Sequence, residues 1–197
     1  MSESYQSIAS PVEALYKEKG SKFLAYLYPV HSEEDVKKHL LALRAQYPDA
    51  THHCYAYCLG AQREKWRAND DGEPAHSAGT PILNQLKSKG VSDVLAVVVR
   101  YYGGTKLGVS GLIQAYKEST ALALAEAEVI EKVPQASMCI SYPYEATAEV
   151  MQHIAQQGIK IQAQRFEERC YAELLFPKSA QEQILRLFAP WLIEGKP

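Results

Sequence analysis

Between Arg100 and Gly111 the chain reads Arg-Tyr-Tyr-Gly-Gly-Thr-Lys-Leu-Gly-Val-Ser-Gly, which gathers four glycines, two cations and two aliphatic hydroxyls into one short stretch. A continuous apolar run, Val94–Val99, precedes it, and an Ala- and Leu-rich stretch follows from about Ser110 to Val129. Such an order predicts strand, glycine-rich loop, helix, with Ser110 as the helix cap. A helix start offers unpaired backbone N–H groups and the positive end of a dipole, which suit an anion. Arg100, Tyr101, Gly103, Gly104, Lys106, Gly108, Ser110 and Gly111 are therefore candidate contacts to RNA phosphate or a nucleotide. The same glycines also fit tight turns and close packing in a buried crossover, and both readings stand. Neither GxxxxGK[ST] nor GxGxxG occurs, so Walker and Rossmann nucleotide sites are not encoded.

A second group precedes this one. Asn69-Asp70-Asp71-Gly72-Glu73-Pro74 places three carboxylates where they could hold Mg²⁺ through oxygen. Asp-Gly and Glu-Pro are equally turn formers, and the EF-hand spacing is not met. His76 follows in the same loop beside Ser77, an adjacency that does not make a catalytic pair. Upstream, Arg63, Lys65, Trp66 and Arg67 form a basic, aromatic-bearing run that could meet phosphate and base. In Thr51–Leu59, alternation puts His52, Cys54 and Cys58 on one face and His53, Tyr55 and Tyr57 on the other. Spaced along one strand with no fourth ligand evident, the first set reads as buried thiols beside a histidine rather than a zinc site. No catalytic residue, metal or cofactor is assigned.

These residues need a scaffold. A hairpin, Val12–Tyr16 with Phe23–Val30, turns at Gly20. Ser32-Glu-Glu-Asp35 is a capping pattern for a helix running to about Tyr47 before Pro48. Thr51–Leu59 reads as a strand and residues 60–78 as a long loop. Pro81–Lys89 is a short helix ended by Gly90. Composition shifts at Pro134, after which strand, helix, strand, strand, helix follow: Ala136–Tyr142, Glu145–Gln157, Ile159–Phe166, Arg169–Phe176 and Ala180–Phe188. That order is a split βαβ, ferredoxin-like module, with room for a last short strand near Trp191. The expected architecture is α+β in two domains, residues 1–134 and 135–197.

The 197 residues carry a formal net charge of −2, with 47% hydrophobic and 22% charged residues, an ordinary globular composition. Charge is uneven: residues 60–117 hold eight Lys or Arg against five Asp or Glu, whereas residues 118–197 hold seven against eleven. The middle is locally basic, which permits phosphate contacts. No apolar run reaches a membrane span, the first residues lack a leader pattern, and four scattered cysteines suit a reducing compartment. A cytoplasmic protein without membrane contact is expected.

Five stretches together resemble the YigZ/Impact family: Lys19-Gly20-Ser21-Lys22-Phe23, Thr51-His52-His53-Cys54-Tyr55-Ala56-Tyr57, Asp70-Asp71-Gly72-Glu73-Pro74, Gly79 with Ile82-Leu83, and Val97 to Gly108. The C-terminal 60 residues or so resemble the smaller domain of its bacterial members. The resemblance implies an N-terminal fold like domain IV of elongation factor G and the GHMP kinases, and a ferredoxin-like C-terminal domain. It further implies a non-enzymatic regulator associated with RNA, the ribosome or a translation-related protein. The alternatives are a nucleotide- and Mg²⁺-dependent phosphotransfer enzyme and a pure protein–protein adaptor.

Overall fold

The computed structural model describes residues 4–193, so residues 1–3 and 194–197 at the ends of the two expected domains lie outside it. The chain is α+β and divides into two compact units, one spanning Tyr5–Lys132 and one beginning at Val133.

In the first unit, strands β1 (Tyr5–Ile8), β2 (Val12–Glu18) and β3 (Ser21–Pro29) lead to helix α1 (Glu33–Gln46). Strands β4 (His52–Leu59) and β5 (Lys65–Asn69), helix α2 (Gly79–Lys89), strand β6 (Val94–Tyr101), helix α3 (Gly108–Glu126) and strand β7 (Val129–Lys132) complete it. Five strands form one sheet in the order β2-β3-β6-β4-β5, and β1 pairs with β7 apart from it. β6 is antiparallel to both neighbours, so β3 and β4 run parallel with β6 between them, joined through α1.

Sequence chemistry explains each piece. Lys19 and Gly20 both take positive φ, 46° and 81°, and close a two-residue hairpin between β2 and β3. Ser32 caps α1 by accepting from the Asp35 amide at 3.1 Å, while Asp35 reaches back to the His31 amide at 3.0 Å. The Val94–Val99 run is central and buried on both faces. One face packs Phe23, Ala25, Leu27, Cys54, Ala56, Cys58, Ala96 and Val98 against α2 and α3. The other packs Tyr26, Tyr55, Tyr57, Leu95, Val97 and Val99 against Val36 and Leu43 of α1. The alternation expected of residues 51–59 is thus realised.

Three expectations change. Residues 60–78 are not one loop, because Lys65–Asn69 joins the sheet as edge strand β5. Apolar periodicity could not reveal this strand, since most of its side chains are exposed and only main-chain pairing with β4 defines it. The passage after α3 also differs. α3 ends at Glu126, and Val129–Lys132 pairs with Tyr5–Ile8, an N-terminal strand too short to read by alternation. Finally, α3 begins at Gly108 with Leu107 at its cap position and no side-chain cap bond, so Ser110 lies in the first turn instead of capping it.

The second unit holds strand β8 (Gln135–Tyr142), helix α4 (Thr147–Gln156), strands β9 (Lys160–Phe166) and β10 (Cys170–Pro177), and helix α5 (Gln181–Leu187). Its antiparallel sheet runs β8-β10-β9, with Leu192 bridging Ile140 on the free edge of β8. Met138, Ile140, Tyr142, Ala172, Leu174 and Phe176 cover one face together with Val150, Ile154, Ile184 and Phe188 from the helices. No helix among the described residues is long and apolar enough to cross a membrane.

Candidate functional site

The glycine-rich segment leaves β6 at the surface. Tyr102 to Lys106 and Gly108 to Ser110 are exposed, with Tyr101, Leu107 and Gly111 partly so. Its first half is anchored. The Gly103 amide donates to Ser21 Oγ at 3.1 Å, the Tyr102 amide to Thr51 Oγ1 at 3.2 Å, and the Tyr101 hydroxyl to Asp49 at 2.9 Å. Gly103 lies so close to the hairpin turn that a Cβ there would come within 1.9 Å of the Gly20 carbonyl carbon. Past this contact the chain is open: Gly104 and Gly108 take φ of 87° and 72° and have nothing within 4 Å of an added Cβ. These glycines thus serve different ends, Gly103 a close backbone approach and Gly104 and Gly108 an exposed turn.

Helices α2 and α3 enter this region differently. At α2, Asp70 Oδ1 accepts from the Ala78 and Gly79 amides at 3.0 and 2.8 Å, and its Oδ2 from the His76 amide at 2.9 Å. A carboxylate of the chain itself already fills that anion position. At α3 the first turn carries no acid and no capping side chain, while Lys106 is exposed and forms no ion pair among the described residues. First-turn N–H groups face water there unless a ligand takes them.

Arg100 leaves the expected anion surface. It is only 5% exposed, and its Nη1 lies 2.5 Å from Glu73 Oε1. Tyr116 of α3 donates to the same oxygen at 2.7 Å, and His52 Nε2 stands 3.8 Å away. The guanidinium also lies 5.3 Å from the Phe23 ring and 5.8 Å from that of Tyr102. Cys54 Sγ extends the network, 3.2 Å from the Tyr116 hydroxyl and 3.0 Å from the Asp70 carbonyl. Burial pushes the Cys54 thiol up, which keeps it protonated and inert as a nucleophile. This cluster pins the 70–78 loop to β4, β6 and α3. Tyr116 was not singled out by sequence, although a tyrosine on the Ala/Leu face of α3 is the signal: its hydroxyl must find a partner when buried.

The acidic stretch is likewise committed to the scaffold. Asp71 Oδ1 accepts from Arg44 at 2.8 Å, and its Oδ2 from the His53 amide at 2.7 Å. His52 Nδ1 lies 2.7 Å from the Asp71 carbonyl oxygen, and His76 Nδ1 lies 3.2 Å from Thr80 Oγ1. Among the described residues no three His, Cys, Asp or Glu stand together as metal ligands. Burial raises the Asp71 carboxyl, but the His53 amide and Arg44 outweigh it and hold the group below its usual range. A depressed folded value adds stability that is present above the unfolded value of about 3.9 and is lost as pH falls through the folded one. Asp71→Asn, which suits the positive φ of 43°, should cost about 1 kcal/mol at pH 7, discounted for the half-exposed Arg44. In urea unfolding the gap to wild type should close as pH drops to about 2; a gap constant with pH would refute the assignment.

The basic run is divided by strand alternation. Arg67 and Lys65 oppose Tyr57 and Leu59 and so share the α1 face, whereas Trp66 opposes Cys58 and shares the α2 face. Trp66 is 56% exposed with Lys87 Nζ 4.4 Å from its ring, and Arg63 donates to the Lys87 carbonyl at 3.3 Å. One strand thus carries two small basic surfaces instead of a single stripe.

Residues 19–124, more than half of the chain, match the model of the Impact N-terminal domain. The chain belongs to the IMPACT family. IMPACT family member YigZ of Escherichia coli is 39% identical over 72% of this chain and 71% of its own length. IMPACT family member YvyE of Bacillus subtilis is 32% identical over 88% and 78%. A solved structure described as a hypothetical protein covers all of both chains at 30% identity with a TM-score of 0.77. In this IMPACT member the matched segment contains the Gly20–Gly103 contact, the Asp70 cap and the Glu73 cluster, so the family motifs fall on the scaffold that presents the exposed loop.

Proposed function

We propose that this IMPACT-family chain is a binding protein that docks on RNA, most readily that of the ribosome, through the loop from Tyr102 to Ser110. One observation carries the reading: the first turn of α3 is exposed and uncapped beside the cation Lys106, while the equivalent turn of α2 is filled by Asp70. A backbone phosphate can take in the first place what a carboxylate takes in the second. The translational role implied by the resemblance, and the locally basic middle of the chain, support the same partner. Four free cysteines fit a cytoplasmic setting. A ferredoxin-like label for the second domain is supported by the order β8-β10-β9 with Leu192 beside β8, and domain limits of 1–134 and 135–197 by the two compact units. The likeness of the first domain to domain IV of elongation factor G rests on the family resemblance. The phosphotransfer alternative needs Asp70, Asp71 and Glu73 on Mg²⁺, and each is tied to a protein partner.

Sedimentation through sucrose gradients, with and without nuclease, tests the proposal. Association should be salt-sensitive and lost with nuclease. Lys106→Ala should lower the slope of log K against log salt by about 0.7, the share of one contact to single-stranded phosphate. Absence of association at about 100 mM salt would overturn the reading, and nuclease-resistant association would replace it with a protein adaptor.

A further inference from the structure

The helix-free face of the C-terminal sheet contains a hollow that the cross-strand register explains. Glu173 on the central strand β10 is flanked by Ala163 on β9 and Cys139 on β8, two small side chains. Two residues before it on the same face, Tyr171 is flanked by Arg165 and Ser141. Small residues on both sides of Glu173, with Tyr171 and Arg165 rising beside them, leave an open cavity of about 320 Å³, closed at its edge by Ile193, whose amide donates to the Cys139 carbonyl at 3.1 Å. That volume lies at the lower end of small-ligand pockets.

Its lining is chemically specific. The Arg165 guanidinium stacks 4.7 Å from the Tyr171 ring, giving a flat wall of the sort on which unpaired bases stack. Beside this wall Arg165 Nε lies 3.5 Å from Glu167 Oε1, and Arg169 is held on Ser141 through Nε to Oγ at 3.0 Å and Nη2 to the carbonyl at 3.1 Å. At the other end stands one carboxylate, Glu173, and among the described residues it has no hydrogen-bond or ion-pair partner. A carboxylate beside a stacking wall accepts from a ring that offers two adjacent N–H donors, and among the four bases guanine does so through N1–H and its 2-amino group. Cytosine and adenine offer only an amino donor, and uracil a single ring N–H.

We infer that this hollow is a guanine-binding site, with Tyr171 and Arg165 stacking on the base and Glu173 accepting from its N–H edge. The site is independent of the Lys106 loop. A free nucleotide and single-stranded RNA both present this base, and both are used as probes.

The experiment titrates the full chain with GMP, AMP, CMP and UMP by calorimetry, and with uridine heptamers carrying one central G, A or C by fluorescence anisotropy. Guanine probes should bind at least about tenfold more tightly than the others, the discrimination of one bidentate pair. Glu173→Gln removes one of the two acceptors and should abolish the preference while circular dichroism stays unchanged. If Glu173→Gln does not fold, Ala163→Leu on the exposed edge strand fills the hollow and should abolish guanine binding. Lys106→Ala should leave the preference intact, which separates this site from the proposed docking loop. Preference in GMP alone would assign the site to a free nucleotide; preference only in the heptamer would assign it to RNA. Equal binding of all bases, no binding, or a preference that survives Glu173→Gln would each overturn the inference.

Discussion

Replacing Glu73 by alanine should lower the unfolding free energy by about 3–5 kcal/mol, because it strands the buried Arg100 guanidinium without its counter-charge. The loss extends beyond one pair. Tyr116 would lose the acceptor at 2.7 Å that satisfies its buried hydroxyl, and Arg100 Nε already lacks a partner. Urea unfolding followed by circular dichroism reads the cost. Removing both charges by pairing Glu73→Leu with Arg100→Met should recover most of it, since an apolar pair of similar volume needs no desolvation of ions. The paired variant should also retain RNA association, whereas Lys106→Ala should weaken it. A cost below about 1 kcal/mol for Glu73→Ala would refute the view that this pair is a buried structural unit. Loss of RNA association in the folded pair would return Arg100 to the binding surface.

Gly103→Ala should be comparably severe. An added Cβ would stand 1.9 Å from the Gly20 carbonyl carbon and 2.1 Å from the Ser21 nitrogen, and both are backbone atoms that cannot rotate away. Either the hairpin turn or the strand end must shift, breaking the bond from the Gly103 amide to Ser21. The expected loss is about 4 kcal/mol or more, which puts it among the exceptional single substitutions. In thermal unfolding that is a fall on the order of 10 °C. Gly104→Ala is the control. Its φ of 87° imposes strain of about 1–2 kcal/mol, but the space around it is empty. If the neighbouring substitutions cost the same, close backbone approach is not what places glycine at 103.

Much of the scaffold was legible from local rules. Ser32 and Asp35 announce the start of α1, Gly90 the end of α2, Gly20 the first hairpin, and the unbroken run from Val94 a strand covered on both sides. Each signal acts within a few residues, through capping, positive φ or side-chain period. Edge strand β5 and the β1–β7 pair were not legible. Strands this short owe their existence to main-chain bonds with distant partners, and four or five residues are too few to show a period in their own side chains.

The chain alone settled which chemical groups are present near the glycine-rich loop, and that the fold around them is α+β. Tertiary structure decided which of those groups remain available. Arg100 and Lys106 are cations six positions apart, yet one is an interior counter-ion and the other faces solvent. Asp70 and Glu73 are loop carboxylates three positions apart, yet one caps a helix and the other neutralises Arg100. Burial and the identity of a long-range partner set these roles, because a charge withdrawn from water must meet its complement wherever the fold brings one. Sequence spacing carries no record of that encounter.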